Sequence, residues 1–266
     1  MYTKLPLGTS NPGLLILLID QSGSMSEPYA NTTKATFAAL AVNRCIYDII
    51  LSCSAGEVVK DRLHLAVIGY GEKTEVIVAG RASEIFSQVR RTEIISRKEP
   101  DGAGGLVEIK LTLPVWVEPS AGNGTPTEEA FDLASELIEA WVRENPDNFP
   151  PLVINITDGI PNDAVSAANS AGRLMRLSTS DGNTLLLNAH IGDSGEPEIN
   201  LPSDAEALPG ENARFLFGIS SVLPAPLFAA ARNSAFWPQP GARGFIMNAG
   251  PETFTKLLVF GSAPVR

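Results

Sequence analysis

The sequence predicts an α/β fold with a doubly wound, mostly parallel central sheet, helices on both of its faces and one antiparallel edge strand. Residues 14–19 form a continuous apolar run, and residues 151–157 and 184–191 are two further candidates for buried strands. Continuous apolar runs are typical of parallel strands that are covered on both faces. Segments with helical spacing of apolar residues separate these runs, and such alternation is typical of doubly wound sheets.

The composition agrees with one folded domain over residues 1–266. The chain is 44% hydrophobic and 19% charged, which is ordinary for a globular protein that buries a full core. Its net charge of -10 disfavours a nucleic-acid partner, because a phosphate backbone requires a positive surface. The basic cluster of Arg90, Arg91, Arg97 and Lys98 is interpreted as a solvated face.

The sequence shows neither a membrane-spanning segment nor a signal peptide, and this predicts a soluble protein. No segment stands out as long enough to cross a bilayer, and residues 14–19 are too few for the core of a signal peptide. Cys45 and Cys53 fall eight residues apart in one predicted helix, which separates them by roughly 12 Å and excludes a disulfide. We therefore expect no membrane association, two buried free thiols and a cytoplasmic location.

The individual elements follow from periodicity, caps and turn residues. In the first half, the predicted segments are a helix (31–54), two strands of a hairpin (63–70 and 74–79, the latter at the edge), a short helix (81–91), a loop (92–105) and an additional strand (106–117). In the second half, they are a helix capped by Thr125, with Pro126 at its first position and Glu128 completing a capping box, a strand (151–157), a helix (163–177), a strand (184–191), an ordered Pro-rich insertion (195–241), a strand (244–248) and a closing helix (252–260).

Oxygen-bearing side chains stand at the ends of these elements. Asp20, Ser22 and Ser24 follow the first strand, Thr125 lies in a Gly-rich loop before a helix, and Asp158 ends another strand. In a parallel sheet these places converge on one edge, where open α/β sheets bind ligands. An all-oxygen ligand set favours Mg²⁺, or Mn²⁺, over zinc.

The pattern Asp20-x-Ser22-x-Ser24, followed by the threonine of a Gly-Thr-Pro loop and then by Thr157-Asp158-Gly159, resembles the metal-ion-dependent adhesion site of von Willebrand factor type A domains. The resemblance implies that both serines bind the ion directly, that Thr125 binds directly or through water, and that both aspartates anchor it largely through water. It covers residues 14–260, except that the Pro-rich insertion and the strand around 106–117 depart from a minimal domain.

Within that family, the chain is similar to stand-alone bacterial domains of the tellurite-resistance-associated type. This implies a protein partner such as a phosphatase, kinase or ATPase of a stress or defence system. The expected function is a metal-dependent protein interaction module, in which an acidic side chain of the partner completes the coordination of the ion.

Simpler interpretations of each motif stay open. Ser24 with Glu27 and Thr125 with Glu128 each satisfy a capping box, and Asp158-Gly159 is an ordinary turn. Thr127 is a second choice to Thr125 as a ligand. Asp193 is interpreted as a turn residue rather than a ligand.

The enzyme alternatives are a metal-dependent hydrolase or phosphatase. The strand leading to Asp20 is similar to a phosphatase signature of the form Asp-x-Asp, but Ser22 replaces the second acid, which serves there as the proton donor. The sequence contains no nucleophile elbow and no phosphate-binding Walker loop. His64 and His190 both fall in predicted strands. We therefore expect a protein that is not an enzyme, with a secreted adhesin as a further alternative.

Overall fold

The computed structural model describes residues 7–100, 105–159, 161–193, 195–234, 236–250, 253–254 and 256–257. The strands are β1 (Gly13–Asp20), β2 (Pro28–Tyr29), β3 (Thr32–Thr33), β4 (Ser54–Ala55), β5 (Val58–Val59), β6 (Leu63–Tyr70), β7 (Thr74–Arg81), β8 (Arg91–Pro100), β9 (Leu106–Val115), β10 (Leu152–Thr157), β11 (Ser178–Thr179), β12 (Gly182–Asn183), β13 (Leu185–His190), β14 (Ile199–Asn200) and β15 (Phe245–Met247). The helices are α1 (Lys34–Cys53), α2 (Ala82–Phe86), α3 (Thr127–Glu144), α4 (Ala164–Leu174), α5 (Gly210–Gly218) and α6 (Ala225–Asn233), with a short 3-10 helix at Gly23–Ser26.

Seven strands form the central sheet in the order β14-β15-β13-β10-β1-β6-β7. Neighbours pair in parallel from β15 to β6, whereas β7 and β14 are antiparallel strands at the two edges. The predicted fold class is confirmed, including the edge strand β7. The second antiparallel edge, β14, comes from the Pro-rich segment and was not predicted.

Strand β1 shows why the first apolar run is continuous. All of its residues are buried, because helices cover both faces of the sheet. Leu15, Leu17 and Ile19 pack in the core beneath α1, α2 and α6. Leu14, Ile16 and Leu18 pack on the opposite face with α3, α4 and α5. Because successive side chains of a strand point to opposite faces of the sheet, alternate residues of β1 contribute to two separate cores.

Helix α1 begins at Lys34, three residues later than predicted. Residues Pro28–Tyr29 and Thr32–Thr33 pair as a small hairpin, and the Thr33 side chain accepts a hydrogen bond from the backbone N–H of Thr36 as the N-cap. Among the described residues, α1 is the helix long and apolar enough to cross a membrane, contrary to our expectation from the sequence, and 61% of that window is buried in this fold. Cys45 and Cys53 are buried in it as free thiols, as expected.

The loop predicted for residues 92–105 is wrong over most of its length. Strand β8 pairs with β9 in a ten-residue antiparallel ladder that is separate from the central sheet. The short helix predicted at 81–91 ends at Phe86 and leaves Arg91 to start this hairpin. In the predicted basic cluster, Arg91 pairs with Glu93 and Glu118, and the side chains of Arg97 and Lys98 lie outside the described residues.

The Pro-rich segment 195–241 contains β14, α5 and α6. Its apolar side chains Leu216, Phe217 and Leu227 are buried against the sheet. Most of the predicted helix 252–260 lies outside the described residues, although residues 253–254 and 256–257 are helical.

Candidate metal centre

Four of the five predicted ligand residues meet at the carboxyl edge of the sheet. Strands β1 and β10 are parallel neighbours, so that Asp20 at the end of one lies beside the segment that carries Asp158. The backbone N–H of Ser22 donates to Asp20 Oδ1 at 2.8 Å. The Ser22 and Ser24 hydroxyl oxygens are 3.1 Å apart, and Ser24 Oγ donates to Asp158 Oδ1 at 2.8 Å. The convergence predicted from the sequence is therefore present for these four residues.

The turn after β1 is built to present these oxygens. Asp20 and Ser22 are buried, and the hydrogen bond from the Ser22 amide to the Asp20 carboxylate closes a tight turn. The next residues form the 3-10 helix, in which Met25 is fully buried and Ser24 is exposed. The buried methionine anchors the helix, and the serine on its outer side faces solvent.

The loop that contains Thr125 packs between the other two loops. Gly122 N donates to Gln21 O at 2.7 Å, which ties the loop to the turn after β1. Thr125 N donates to Asn162 Oδ1 at 3.0 Å, and Asn162 N donates back to Thr125 O at 3.0 Å. Within the described residues, no hydrogen bond joins the Thr125 hydroxyl to the other four predicted ligands. The backbone of Thr125 lies at the predicted edge, and its ligation of an ion stays a prediction.

The predicted cap of the following helix is wrong. Helix α3 begins at Thr127 with Pro126 as its N-cap, and no side chain caps it, so the capping box of Thr125 and Glu128 does not form. The backbone N–H of Thr125, which a capping box would pair with Glu128, donates to Asn162 instead. Thr127, the rival ligand, is buried with its hydroxyl 3.5 Å from the Thr125 carbonyl oxygen.

The capping box of Ser24 and Glu27 is also absent. The Ser24 hydroxyl donates to Asp158, and the Glu27 carboxylate accepts from Lys34 Nζ at 2.8 Å. Lys34 also donates to Asp158 Oδ2 at 3.0 Å, and both of these side chains are buried. Sequence reasoning missed Glu27 and Lys34 as neighbours of the site. The turn-forming residues between them, around Pro28 and Asn31, could have indicated that the chain reverses here and brings Glu27 close to Lys34.

Charge compensation differs between the two aspartates. The pKa of Asp20 is raised to about 6, chiefly by burial and in small part by the nearby charge of Asp158, against hydrogen bonds from Thr157 and Ser22 that lower it. Burial lowers the pKa of Lys34, but its hydrogen bonds to Glu27 and Asp158 outweigh that effect and raise it overall. Asp158 thus has a cationic partner, whereas Asp20 is held by neutral donors.

A third residue whose part in the site sequence reasoning missed is Thr157. Its hydroxyl donates to Asp20 Oδ2 at 2.6 Å and accepts from the backbone N–H of Gly159 at 3.2 Å. The two oxygens of Asp20 are therefore fixed by Ser22 and Thr157 together. The adjacent His190 is buried with Nδ1 3.3 Å from the Thr157 carbonyl oxygen, and burial lowers its pKa. Asp193, which follows it, is exposed 4.0 Å from Lys34, at the rim of the site.

These residues fit a hard divalent cation. In the described part of the chain, no three His, Cys, Asp or Glu side chains gather as a metal cluster. An ion at this edge would therefore depend on hydroxyl oxygens, which suit Mg²⁺ and Mn²⁺. The Ser24 hydroxyl donates to Asp158 and accepts from Ser22, which leaves one oxygen lone pair for an ion. The elevated pKa of Asp20 reflects a buried charge that a cation would compensate.

No protein-family model matches the sequence, and no curated protein matches it. Solved structures do match. The manganese-loaded TRAP protein of Plasmodium vivax superposes with a TM-score of 0.51 at 18% identity, over 98% of this chain and 77% of that one. Proximal thread matrix protein 1 of the mussel byssus superposes with a TM-score of 0.52 at 13% identity, over 95% of this chain and 47% of that one.

The chain has a von Willebrand factor A-like fold. A further structure of the mussel protein, described as having a zinc-occupied MIDAS motif, matches with a TM-score of 0.44 at 13% identity, over 81% of this chain and 40% of that one. At these identities the likeness concerns the fold. The arrangement of Asp20, Ser22, Ser24 and Asp158 is the observation that bears on function.

Proposed function

We propose that this protein is an interaction module that binds a partner through a divalent cation, Mg²⁺ or Mn²⁺, at the carboxyl edge of its sheet. The observation that carries the proposal is the convergence of Asp20, Ser22, Ser24 and Asp158 within hydrogen-bond distance of one another, at the ends of two adjacent parallel strands. Ligand sites of open α/β sheets lie at this edge.

Each residue has a defined part in the proposal. Ser22, Ser24 and Thr125 hold the ion, while Asp20 and Asp158 fix its hydration shell. Only two of these five groups carry charge, so the bound ion supplies an electrophilic position that a carboxylate of the partner can occupy. Thr157 and the amide of Ser22 keep the Asp20 carboxylate in place.

We propose an interaction module rather than an enzyme because of Ser22. Transfer of a phosphoryl group through Asp20 requires a second acid to protonate the leaving group, and the residue at that position has a hydroxyl that donates no proton at neutral pH. A phosphatase assay with p-nitrophenyl phosphate tests this point. Turnover that disappears in the Asp20→Ala variant would instead favour a hydrolase.

The partner class follows from the same chemistry. The partner presents an Asp or Glu side chain, and the resemblance to tellurite-resistance-associated domains suggests a phosphatase, kinase or ATPase of a bacterial stress or defence system. Manganese in the Plasmodium protein and zinc in the mussel protein are properties of those proteins. The manganese of the Plasmodium protein supports Mn²⁺ as the probe ion beside Mg²⁺.

Thermal unfolding with added metal tests the site. At a Mn²⁺ concentration of about 100 times Kd, one site stabilises the native state by about 2.7 kcal/mol, which raises the Tm of a chain of this size by about 5 °C or more. We expect Asp20→Ala to lose this rise and Ser24→Ala to lose most of it. The matched control is Ser26→Ala in the same 3-10 helix, whose hydroxyl donates to Gly23 O and takes no part in the site.

This comparison decides whether the protein binds the ion. Equal melting temperatures with Mn²⁺ and with EDTA in the wild type would refute the metal site. For recognition, the tagged protein is used to capture its partner from the source organism's extract in Mg²⁺ or in EDTA. If EDTA does not affect retention of the partner, the interaction does not depend on the ion, even if the protein binds the ion.

A further inference from the structure

Lys34 is a buried cation beside the candidate metal centre. Its Nζ lies 2.8 Å from Glu27 Oε2, 3.0 Å from Asp158 Oδ2 and 4.0 Å from Asp193 Oδ1. Only 5% of the lysine side chain is exposed, whereas Asp193 is exposed and Glu27 is partly exposed. The first residue of α1 thus places an ammonium group among three carboxylates, one of which is a predicted metal ligand.

The position of Lys34 differs from that of an ordinary surface lysine. Long basic side chains usually bury their methylene groups and keep the charged end in water. Here the charged end points inward and donates to a buried carboxylate. Burial of an ammonium group is costly unless it is paired and hydrogen-bonded, and the contacts with Glu27 and Asp158 supply both conditions.

This pairing bears directly on the metal. Asp158 accepts from Ser24 on Oδ1 and from Lys34 on Oδ2, so its charge is already balanced within the protein. A divalent ion that binds beside Asp158 meets the positive charge of Lys34 at close range, in surroundings that are poorly screened by solvent. The lysine therefore makes the site stable without metal and opposes metal entry.

We propose that Lys34 is a tethered cation that sets a low affinity for the divalent ion, so that loading of the site responds to the concentration of metal. The inference rests on the proposed function and adds its regulation. In a site of this kind, Lys34 pairs with Asp158 at low metal, and the site becomes able to bind a partner when the metal concentration rises. Glu27 and Asp193 then neutralise Lys34 on its solvent side.

Calorimetric titration with Mn²⁺ alone tests the inference. We expect Lys34→Gln, which keeps an N–H donor for Asp158 but removes the charge, to bind Mn²⁺ about tenfold more tightly than the wild type. Lys34→Arg keeps the charge and should bind within about threefold of the wild type. Lys73→Gln removes an exposed positive charge from the loop after β6, at the same edge, and should change the affinity by less than about twofold.

A second variant covers the possibility that Lys34→Gln does not fold. Glu27 is partly exposed, and Glu27→Gln removes one of the carboxylates that neutralise Lys34. We expect Mn²⁺ to bind this variant about threefold more weakly. An unchanged affinity in either Lys34→Gln or Glu27→Gln, with normal binding by the wild type, would overturn the inference and leave the proposed function intact.

The remaining outcomes separate the two proposals. Binding of Mn²⁺ by Lys34→Gln with none by the wild type would support the role of Lys34 and count against the wild-type protein as a metal-dependent module. Absence of binding in the wild type and in every folded variant would overturn both.

Discussion

The carboxyl edge of the sheet and the β8–β9 hairpin are held together in opposite ways. At the edge, polar side chains far apart in sequence bond one another, as the buried Thr157 does with Asp20 and the exposed Ser24 does with the buried Asp158. In the hairpin, residues pair with partners directly across the ladder, and Ile94, Val107 and Leu111 are exposed. The edge depends on tertiary structure, and the outer hairpin depends on local pairing.

This difference indicates where a substitution affects the hydrogen bonding of residues other than the one replaced. A buried hydroxyl or carboxylate that loses its partner leaves another buried polar group unsatisfied. Replacing an exposed side chain on a two-stranded ladder leaves no buried polar group without a partner. Among the hairpin side chains that the structure describes, those that join the core lie at its base, where Leu113, Val115 and the following Trp116 are buried.

Asn43 at that base offers the largest effect on stability. Its side chain accepts from the backbone N–H groups of Trp116 and Val117 and donates to the Val117 carbonyl. Asn43→Ala leaves these buried groups unpaired, and we expect the free energy of unfolding to fall by about 3–5 kcal/mol. Urea unfolding measures it. The exposed Asn200 is the control, because its replacement by alanine should cost less than about 0.5 kcal/mol.

A loss of less than about 1 kcal/mol in Asn43→Ala would contradict the view that the hairpin base is locked to α1. It would mean that the whole hairpin is stabilised by the pairing of its own two strands.

Asp20 offers the next largest effect, and it depends on pH. Its pKa in the native protein is about 6, above the ordinary value of 3.8, so the native state retains a proton that the unfolded chain has released between these values. The stability from this proton is full below about pH 4 and is lost as the pH rises through about 6, by about 3 kcal/mol in total. Urea unfolding in EDTA at several pH values measures this change.

Asp20→Asn removes the titrating group and should lack this decline. Asp193→Asn, at the exposed rim, should retain it. Parallel pH profiles for the wild type and Asp20→Asn would contradict the assignment. Saturating Mn²⁺ should reverse the decline in the wild type, because the ion compensates the charge at neutral pH.

The smallest effect is expected on the exposed face of the hairpin. Ile94→Thr keeps a β-branched residue at a position that is 70% exposed, and we expect the free energy of unfolding to change by less than about 0.5 kcal/mol. The same replacement at Ile16, which is fully buried in β1, should cost about 2–4 kcal/mol. Comparable losses at the two positions would mean that the outer hairpin packs against a surface of its own.

The sequence was most informative where a strand is buried on both faces. The run that forms β1 predicted a central parallel strand, and the structure confirms it. The oxygens after it predicted a site at its carboxyl end, and four of the five predicted ligand residues do meet there, while ion binding stays a prediction. It was least informative for β8, where Glu93, Ser96 and Glu99 interrupt the apolar pattern. A strand that buries little of its surface carries little periodic signal, and its partner β9 is needed to recognise it.

The amino-acid sequence by itself determined the main strands of the central sheet, the helices α1, α3 and α4 between them, and the sheet edge at which the oxygen-bearing side chains of Asp20, Ser22, Ser24 and Asp158 meet. Only the tertiary structure decided the partners of those groups. Thr157 holds the Asp20 carboxylate, Asn162 engages the backbone of Thr125, and Lys34 reaches Asp158 across 124 positions of sequence. The physical reason is that periodicity records which face of an element is buried, whereas a hydrogen bond or an ion pair between loops depends on how the chain returns to the same point in space.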